Sequence, residues 1–163
     1  MTVIQIGTNE AIYFAYGTLL ELAEMHKYCP SAKSVGIFRL KGYRLGFKAC
    51  GPDPTRGGCT LVNVPDNIMH GILYKMSVAD RKNLDKISGV DQGLWAIHKI
   101  TLLDKDNHEI AADTYVIPNP SGHYVPPESY TRPILAGARQ IPLPSDYIEQ
   151  LESVIKGDSQ KQS

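Results

Sequence analysis

The chain has 163 residues, 42% apolar and 21% charged, with Lys+Arg and Asp+Glu equal at 17 each. That size and composition fit one globular domain and exclude a disordered chain. A neutral balance argues against a nucleic-acid or anionic-membrane binder, both of which need excess positive charge.

No apolar run approaches the roughly 20 residues of a membrane span, and the N-terminus shows no secretory pattern. The three cysteines, Cys29, Cys50 and Cys59, are odd in number and irregular in spacing. They suggest neither a disulfide framework nor a metal site, so idle thiols in a reducing cytoplasm are expected.

In chain order, Ile12 to Tyr16 reads as a buried strand that runs into a turn at Gly17. Leu20 to Tyr28 reads as a helix stopped by Cys29-Pro30. Ser34 to Leu40 and Tyr43 to Ala49 read as two strands joined at Lys41-Gly42 like a hairpin. A loop dense in turn formers, from Gly51 to Gly58, leads to two more strands, Cys59 to Val64 and Ile68 to Met76, with a turn at Pro65-Asp66-Asn67. Ser77 reads as the N-cap of a helix carrying Asp80 in the capping-box place and ending near Ser88-Gly89. Leu94 to Leu103 and Glu109 to Ile117 form a hairpin pattern. Pro118 to Pro127 is a Pro/Gly-rich loop with the dimensions of a lid. Glu128 to Arg139 and Pro144 to Lys156 read as helices, and residues 158–163 as a disordered tail. The expected fold is α+β, with a small barrel-like, mostly antiparallel sheet and flanking helices in a single domain over 1–157.

The strongest local feature is Tyr16-Gly17-Thr18-Leu19-Leu20. A glycine at the end of a strand permits φ > 0, Thr18 offers a hydroxyl, and a helix start leaves amides free. Together these suit an anion or oxyanion. An ordinary tight turn has the same four-residue pattern. Trp95 is the only tryptophan, and opens a strand; it reads either as a packing residue or as a pocket wall.

Combined, Tyr13-Phe14-Ala15-Tyr16-Gly17-Thr18-Leu19-Leu20, Phe38-Arg39-Leu40, Gly57-Gly58-Cys59-Thr60, His70 to Met76, Leu84-Asp85, Ser88-Gly89-Val90, Gly93-Leu94-Trp95, Ala136-Gly137-Ala138 and Leu143-Pro144 resemble the γ-glutamylcyclotransferase (AIG2-like) superfamily. The resemblance covers about Ala11 to Val154. It implies the family's small barrel-like α+β domain. It also implies chemistry in which a substrate's α-amine attacks its own γ-carbonyl to give 5-oxoproline. A glutamate takes the amine's proton, and the Tyr-Gly-Ser/Thr loop holds charged oxygens.

The chain departs from the family at one place: Ser88 stands where the glutamate precedes Gly-Val. A serine hydroxyl does not take a proton from an ammonium at neutral pH. Asp85, Asp91 and Glu128 are candidate replacement carboxylates, and His123, His70 and His98 candidate imidazoles. A nucleophilic Ser88 would need a base beside it. The resemblance places Trp95 and Leu19 at the pocket, which suggests an apolar or planar ligand, and Tyr124 is expected to close over it. Three readings follow: a repurposed enzyme acting on a small carboxylate- or amide-bearing substrate, a true cyclotransferase with a relocated base, and a non-catalytic binding domain. No cofactor or metal is expected. The expected partner is a small molecule, with no nucleic acid and no membrane, and the chain a monomer or homodimer.

Overall fold

The computed structural model describes residues 4–53 and 55–160. Six strands and four helices follow one another as β1 (Glu10–Ala15), α1 (Leu22–Tyr28), β2 (Lys33–Cys50), β3 (Gly57–Ser77), α2 (Val78–Ile87), β4 (Ala96–Leu103), β5 (Glu109–Val116), β6 (Pro120–His123), α3 (Glu128–Gln140) and α4 (Ser145–Gln160). The strands form one antiparallel sheet in the order β1-β3-β2-β4-β5, with β6 attached to β2. The α+β class is as expected.

The two ends of the sheet order meet. Thr114 of β5 donates its hydroxyl to the Phe14 carbonyl of β1 at 2.7 Å. Just beyond β1, the Tyr16 hydroxyl donates to the Tyr115 carbonyl at 2.6 Å. These bonds curl the sheet into a barrel-like form around a core that includes Phe14, Leu45, Phe47, Met69, Leu73 and Leu102, each at most 1% exposed. A polar backbone carbonyl in such a core needs a partner, and the two hydroxyls supply it.

The expected hairpin turns at Lys41-Gly42 and Pro65-Asp66-Asn67 are instead irregularities inside two long strands. Register runs from Lys41↔Ile68 directly to Tyr43↔Asn63, so β3 carries extra residues opposite Gly42. Gly42 has φ +89, which favours glycine, and marks a bulge. Pro65 has no N–H to give a ladder and falls among the extra residues. Asn67 ties the excursion down, its side-chain amide donating to the Tyr43 carbonyl at 2.7 Å.

α2 starts as the sequence implied: the Ser77 hydroxyl accepts from the Asp80 amide at 3.1 Å. Asp80 does not complete a capping box. Its carboxylate accepts from the Ser31 amide and hydroxyl, and Ser31 in turn accepts from the Ser77 amide at 2.9 Å. The helix ends at Ser88, followed by Gly89 in the left-handed region at φ +76. The segment 118–127 is not a free lid, because β6 pairs its centre with β2 through Lys48↔His123 and Ala49↔Gly122. α4 reaches Gln160, inside the expected tail, and residues 161–163 lie outside the described ones. Among the described residues, no helix is long and apolar enough to cross a membrane.

Candidate functional site

A cavity of about 250 Å³ opens where the end of β1, the end of α2, the start of β4 and α3 converge. It lies at the small end of ligand pockets, which run from about 300 to 1,000 Å³, and suits a molecule of amino-acid size. Tyr16, Gly17, Thr18, Leu19, Ser88 and Trp95 line it together. Leu20 is 2% exposed and belongs to the core behind the loop. Asp85 and Asp91 do not line the cavity; Asp91 sits exposed in the 3-10 turn Val90–Gln92. Tyr124 does not reach it either. Its ring packs edge-on against Tyr130, with centroids 6.2 Å apart, and Tyr130 forms the wall.

The other candidates also stand apart. Glu128 is the exposed first residue of α3. His70 packs against the Tyr147 ring at 5.0 Å, and burial lowers its pKa. His98 lies edge-on to Tyr43, and His123 sits in β6.

The loop itself is held from three sides. Tyr74 donates its hydroxyl to the Leu19 carbonyl at 3.0 Å. Gly137 of α3 lets that helix approach so closely that a Cβ there would lie 2.3 Å from the Glu21 nitrogen. Gly17 does not adopt positive φ, contrary to expectation: its φ is −126. What glycine supplies is space, since a Cβ would lie 2.7 Å from the Cys59 sulfur. The amides of Leu20 and Glu21 bond within the 3-10 turn Thr18–Leu20, and the Thr18 amide hydrogen-bonds the Cys59 thiol. The Gly17 and Leu19 amides have no such partner among the described residues.

Cys59 registers the wall. Its amide donates to the Tyr130 hydroxyl at 2.8 Å, and its carbonyl accepts from the Trp95 indole N–H at 3.0 Å. Burial pushes its thiol up to about 11, against the opposing bonds from Tyr130 and Thr18, so it is a neutral, inert group at pH 7. The preceding glycines make room for these rings. A Cβ at Gly58 would lie 2.2 Å from the Tyr130 oxygen and 2.9 Å from Trp95, and one at Gly57 would lie 2.6 Å from the Tyr124 ring.

Several residues lining the cavity were not singled out as site residues by the sequence. Tyr13, Tyr28, Tyr115 and Tyr130 line the cavity beside Tyr16. Burial raises the pKa of Tyr13, Tyr16, Tyr115 and Tyr130, so these hydroxyls stay neutral. Behind Tyr13 and Tyr115 lies Arg81, 7% exposed, with its guanidinium 5.3 and 5.1 Å from their ring centres. Arg81 pairs with Asp85 at 3.1 Å and with Asp113 at 2.6 Å, and donates to the Ile12 carbonyl at 2.9 Å. Asp85 also accepts the Tyr115 hydroxyl hydrogen bond. Only the i,i+4 spacing of Arg81 and Asp85 hinted at this cluster. Asp104, Asp106 and His108 gather at the β4–β5 turn, but Asp104 spends an oxygen on capping the Asp106 and His108 amides.

The model of the AIG2-like family matches residues 68–151. A bovine (Bos taurus) protein named gamma-glutamylcyclotransferase is 30% identical over 152 residues, covering 90% of this chain and 80% of its own length. The human protein of that name is 27% identical over 151 residues, with the same two coverages. A solved structure titled gamma-glutamyl cyclotransferase superposes with a TM-score of 0.80 at 26% identity, covering 88% of this chain and 87% of that one. With this fold, this loop and these relatives, the chain belongs to the AIG2-like, gamma-glutamylcyclotransferase-like family.

Proposed function

We propose that the chain is an enzyme acting on a small carboxylate- or amide-bearing substrate in this cavity, repurposed from cyclotransfer. A substrate oxygen rests on the Gly17 and Leu19 amides, and the aromatic wall of Trp95 covers the rest. One observation carries the reading: among the described residues, none that lines the cavity bears a carboxylate, imidazole, ammonium or guanidinium group. Ser88 is at the wall in the place that the resemblance gives to the glutamate. Losing a general base typically costs 10²–10⁴-fold. Cyclisation, ring opening, elimination or isomerisation of a substrate that needs no strong base from the wall fits these groups better.

A second reading, a true γ-glutamylcyclotransferase with a relocated base, draws support from the names of the relatives and from Asp85. That carboxylate accepts the hydrogen bond of Tyr115, a residue that lines the cavity. Release of 5-oxoproline from γ-glutamyl-alanine separates the two. We expect wild-type turnover far below the ordinary enzyme range of about 1–10³ s⁻¹ and a gain of at least about tenfold in Ser88→Glu. Wild-type turnover inside that range rejects the first reading and leaves the second. No gain in Ser88→Glu means that the cavity has been reshaped as well as stripped of its base.

A further inference from the structure

The hydroxyl of Tyr115 is not free to turn. It donates to the Asp85 carboxylate, which offers only acceptors, and it receives the Arg81 Nε–H at 3.2 Å. The same Nε–H lies 3.1 Å from Asp85 Oδ1, so the three groups form a closed triangle. Arg81 is fixed in turn by Asp113, by the Ile12 carbonyl, and by the two tyrosine faces that enclose it. Swinging the Tyr115 proton toward the cavity would break a charge-assisted bond, among the stronger kinds in a protein. With its proton committed and one lone pair taken by Arg81, the phenol oxygen keeps one acceptor position.

Two other cavity tyrosines are also engaged through their hydroxyls. Tyr16 gives its proton to the Tyr115 carbonyl at 2.6 Å, and Tyr130 uses its oxygen to accept from the Cys59 amide at 2.8 Å. The opposite polarity is found at the loop, where Gly17 and Leu19 offer amide donors. The cavity thus offers amide donors on the loop and tyrosine oxygens that accept, of which Tyr115 is the one held by the charged pair Asp85 and Arg81.

We propose that Tyr115, held by Asp85 and Arg81, is a binding residue that accepts a hydrogen bond from a ligand N–H or N⁺–H, and that Asp85 is its positioning residue. The site then selects small molecules that carry an oxyanion or carbonyl oxygen for the loop and a nitrogen-borne hydrogen for Tyr115. Isosteres with oxygen in place of that nitrogen are rejected, because two lone pairs would face each other. This inference rests on the reading of the cavity as a ligand site with an oxygen-holding loop.

The test uses a matched pair: 5-oxoproline, with a ring N–H, and 5-oxotetrahydrofuran-2-carboxylate, with a ring oxygen and the same carboxylate and carbonyl. Calorimetric titration of the full chain should give at least about tenfold tighter binding of the lactam, since a polar partner left unpaired discriminates strongly. In Tyr115→Phe the ratio should fall to about twofold or less. In Asp85→Ala, where Arg81 keeps Asp113 and the Ile12 carbonyl, it should fall similarly. A ratio near one in the wild type overturns the assignment of Tyr115 and leaves the loop reading standing. A high ratio that survives Tyr115→Phe overturns it too. A ratio lost in Tyr115→Phe and kept in Asp85→Ala removes Asp85 as the positioning residue. Binding of neither compound rejects the loop reading, and the inference with it. A variant that is merely less stable changes both affinities together and leaves their ratio unmoved, so the ratio separates positioning from folding.

Discussion

Gly17→Ala should destabilise the protein through one sulfur atom, and removal of that sulfur should undo most of the damage. The added methyl would lie 2.7 Å from Cys59 Sγ and 3.1 Å from its Cβ. Carbon atoms in favourable contact stand about 3.5–4.0 Å apart, so the overlap is on the order of 1 Å. The sulfur has little room to retreat, since Cys59 is 8% exposed and its thiol is held by the Thr18 amide and Tyr130. Overpacking of this kind costs about 1–3 kcal/mol. At about 2 kcal/mol, the melting temperature of a chain this size falls by roughly 4–8 °C. Cys59→Ala alone should cost about 1 kcal/mol for the emptied space. Adding Gly17→Ala to it should then cost less than about 1 kcal/mol, the residue of the 3.1 Å contact. Urea denaturation of the four proteins, with m unchanged, should therefore return an interaction energy of about 1–2 kcal/mol. Additive losses, with Gly17→Ala equally harmful in both backgrounds, would refute the steric account and point back to a backbone requirement.

Trp95 belongs to both cavity and core: it lines the pocket and its indole bonds Cys59. Trp95→Ala should thus lose about 3 kcal/mol of stability and also weaken 5-oxoproline binding by more than about 1 kcal/mol in the folded fraction. Denaturation and calorimetry check both, and a stability loss with unchanged affinity would remove Trp95 from the site. Cys59 supplies a pH prediction. Its folded thiol is pushed up to about 11 from 9.0, so the unfolded chain ionises first as pH rises. The stabilising difference is intact below pH 9 and is lost between about pH 9 and 11, by up to ~3 kcal/mol. Cys59→Ala should flatten that part of the stability–pH curve, and an unchanged slope would reject the assignment.

Local chemistry made the ends of elements legible, and long-range pairing decided what lay between them. Ser77 capped α2 as its side chain implied, because the bond is made within four residues. Lys41-Gly42 and Pro65-Asp66-Asn67 carry turn chemistry that a bulge uses equally well. Only the partner 27 residues away, Ile68 opposite Lys41, makes them kinks in continuous strands. The site divides in the same way. Tyr16 to Leu19, Ser88 and Trp95 were found through motifs whose order matched a family. Tyr115 was not singled out because a tyrosine in an alternating strand has no local mark of a place in the cavity, and its partners Asp85 and Arg81 are 30 and 34 residues distant. The left-handed backbone expected at Gly17 failed because close approach and positive φ select the same residue.

The three backbone and side-chain bonds that converge on Cys59 also bear on the order in which the molecule takes shape. Residue 59 is placed by its pairing with Phe47 on β2, and its contacts reach forward 36 residues to Trp95 and 71 to Tyr130. Closing loops of that length is slow and is rewarded only when the register is right. A slip of one residue would turn the Cys59 side chain to the other face and cost the loop, the tryptophan and the α3 tyrosine their common anchor at once. Binding competence in refolding should accordingly trail sheet formation; simultaneous recovery of circular dichroism and ligand binding would contradict this. The pocket is then less a feature carved into a finished barrel than a check on its assembly, present only in chains whose central ladder has zipped in the correct frame.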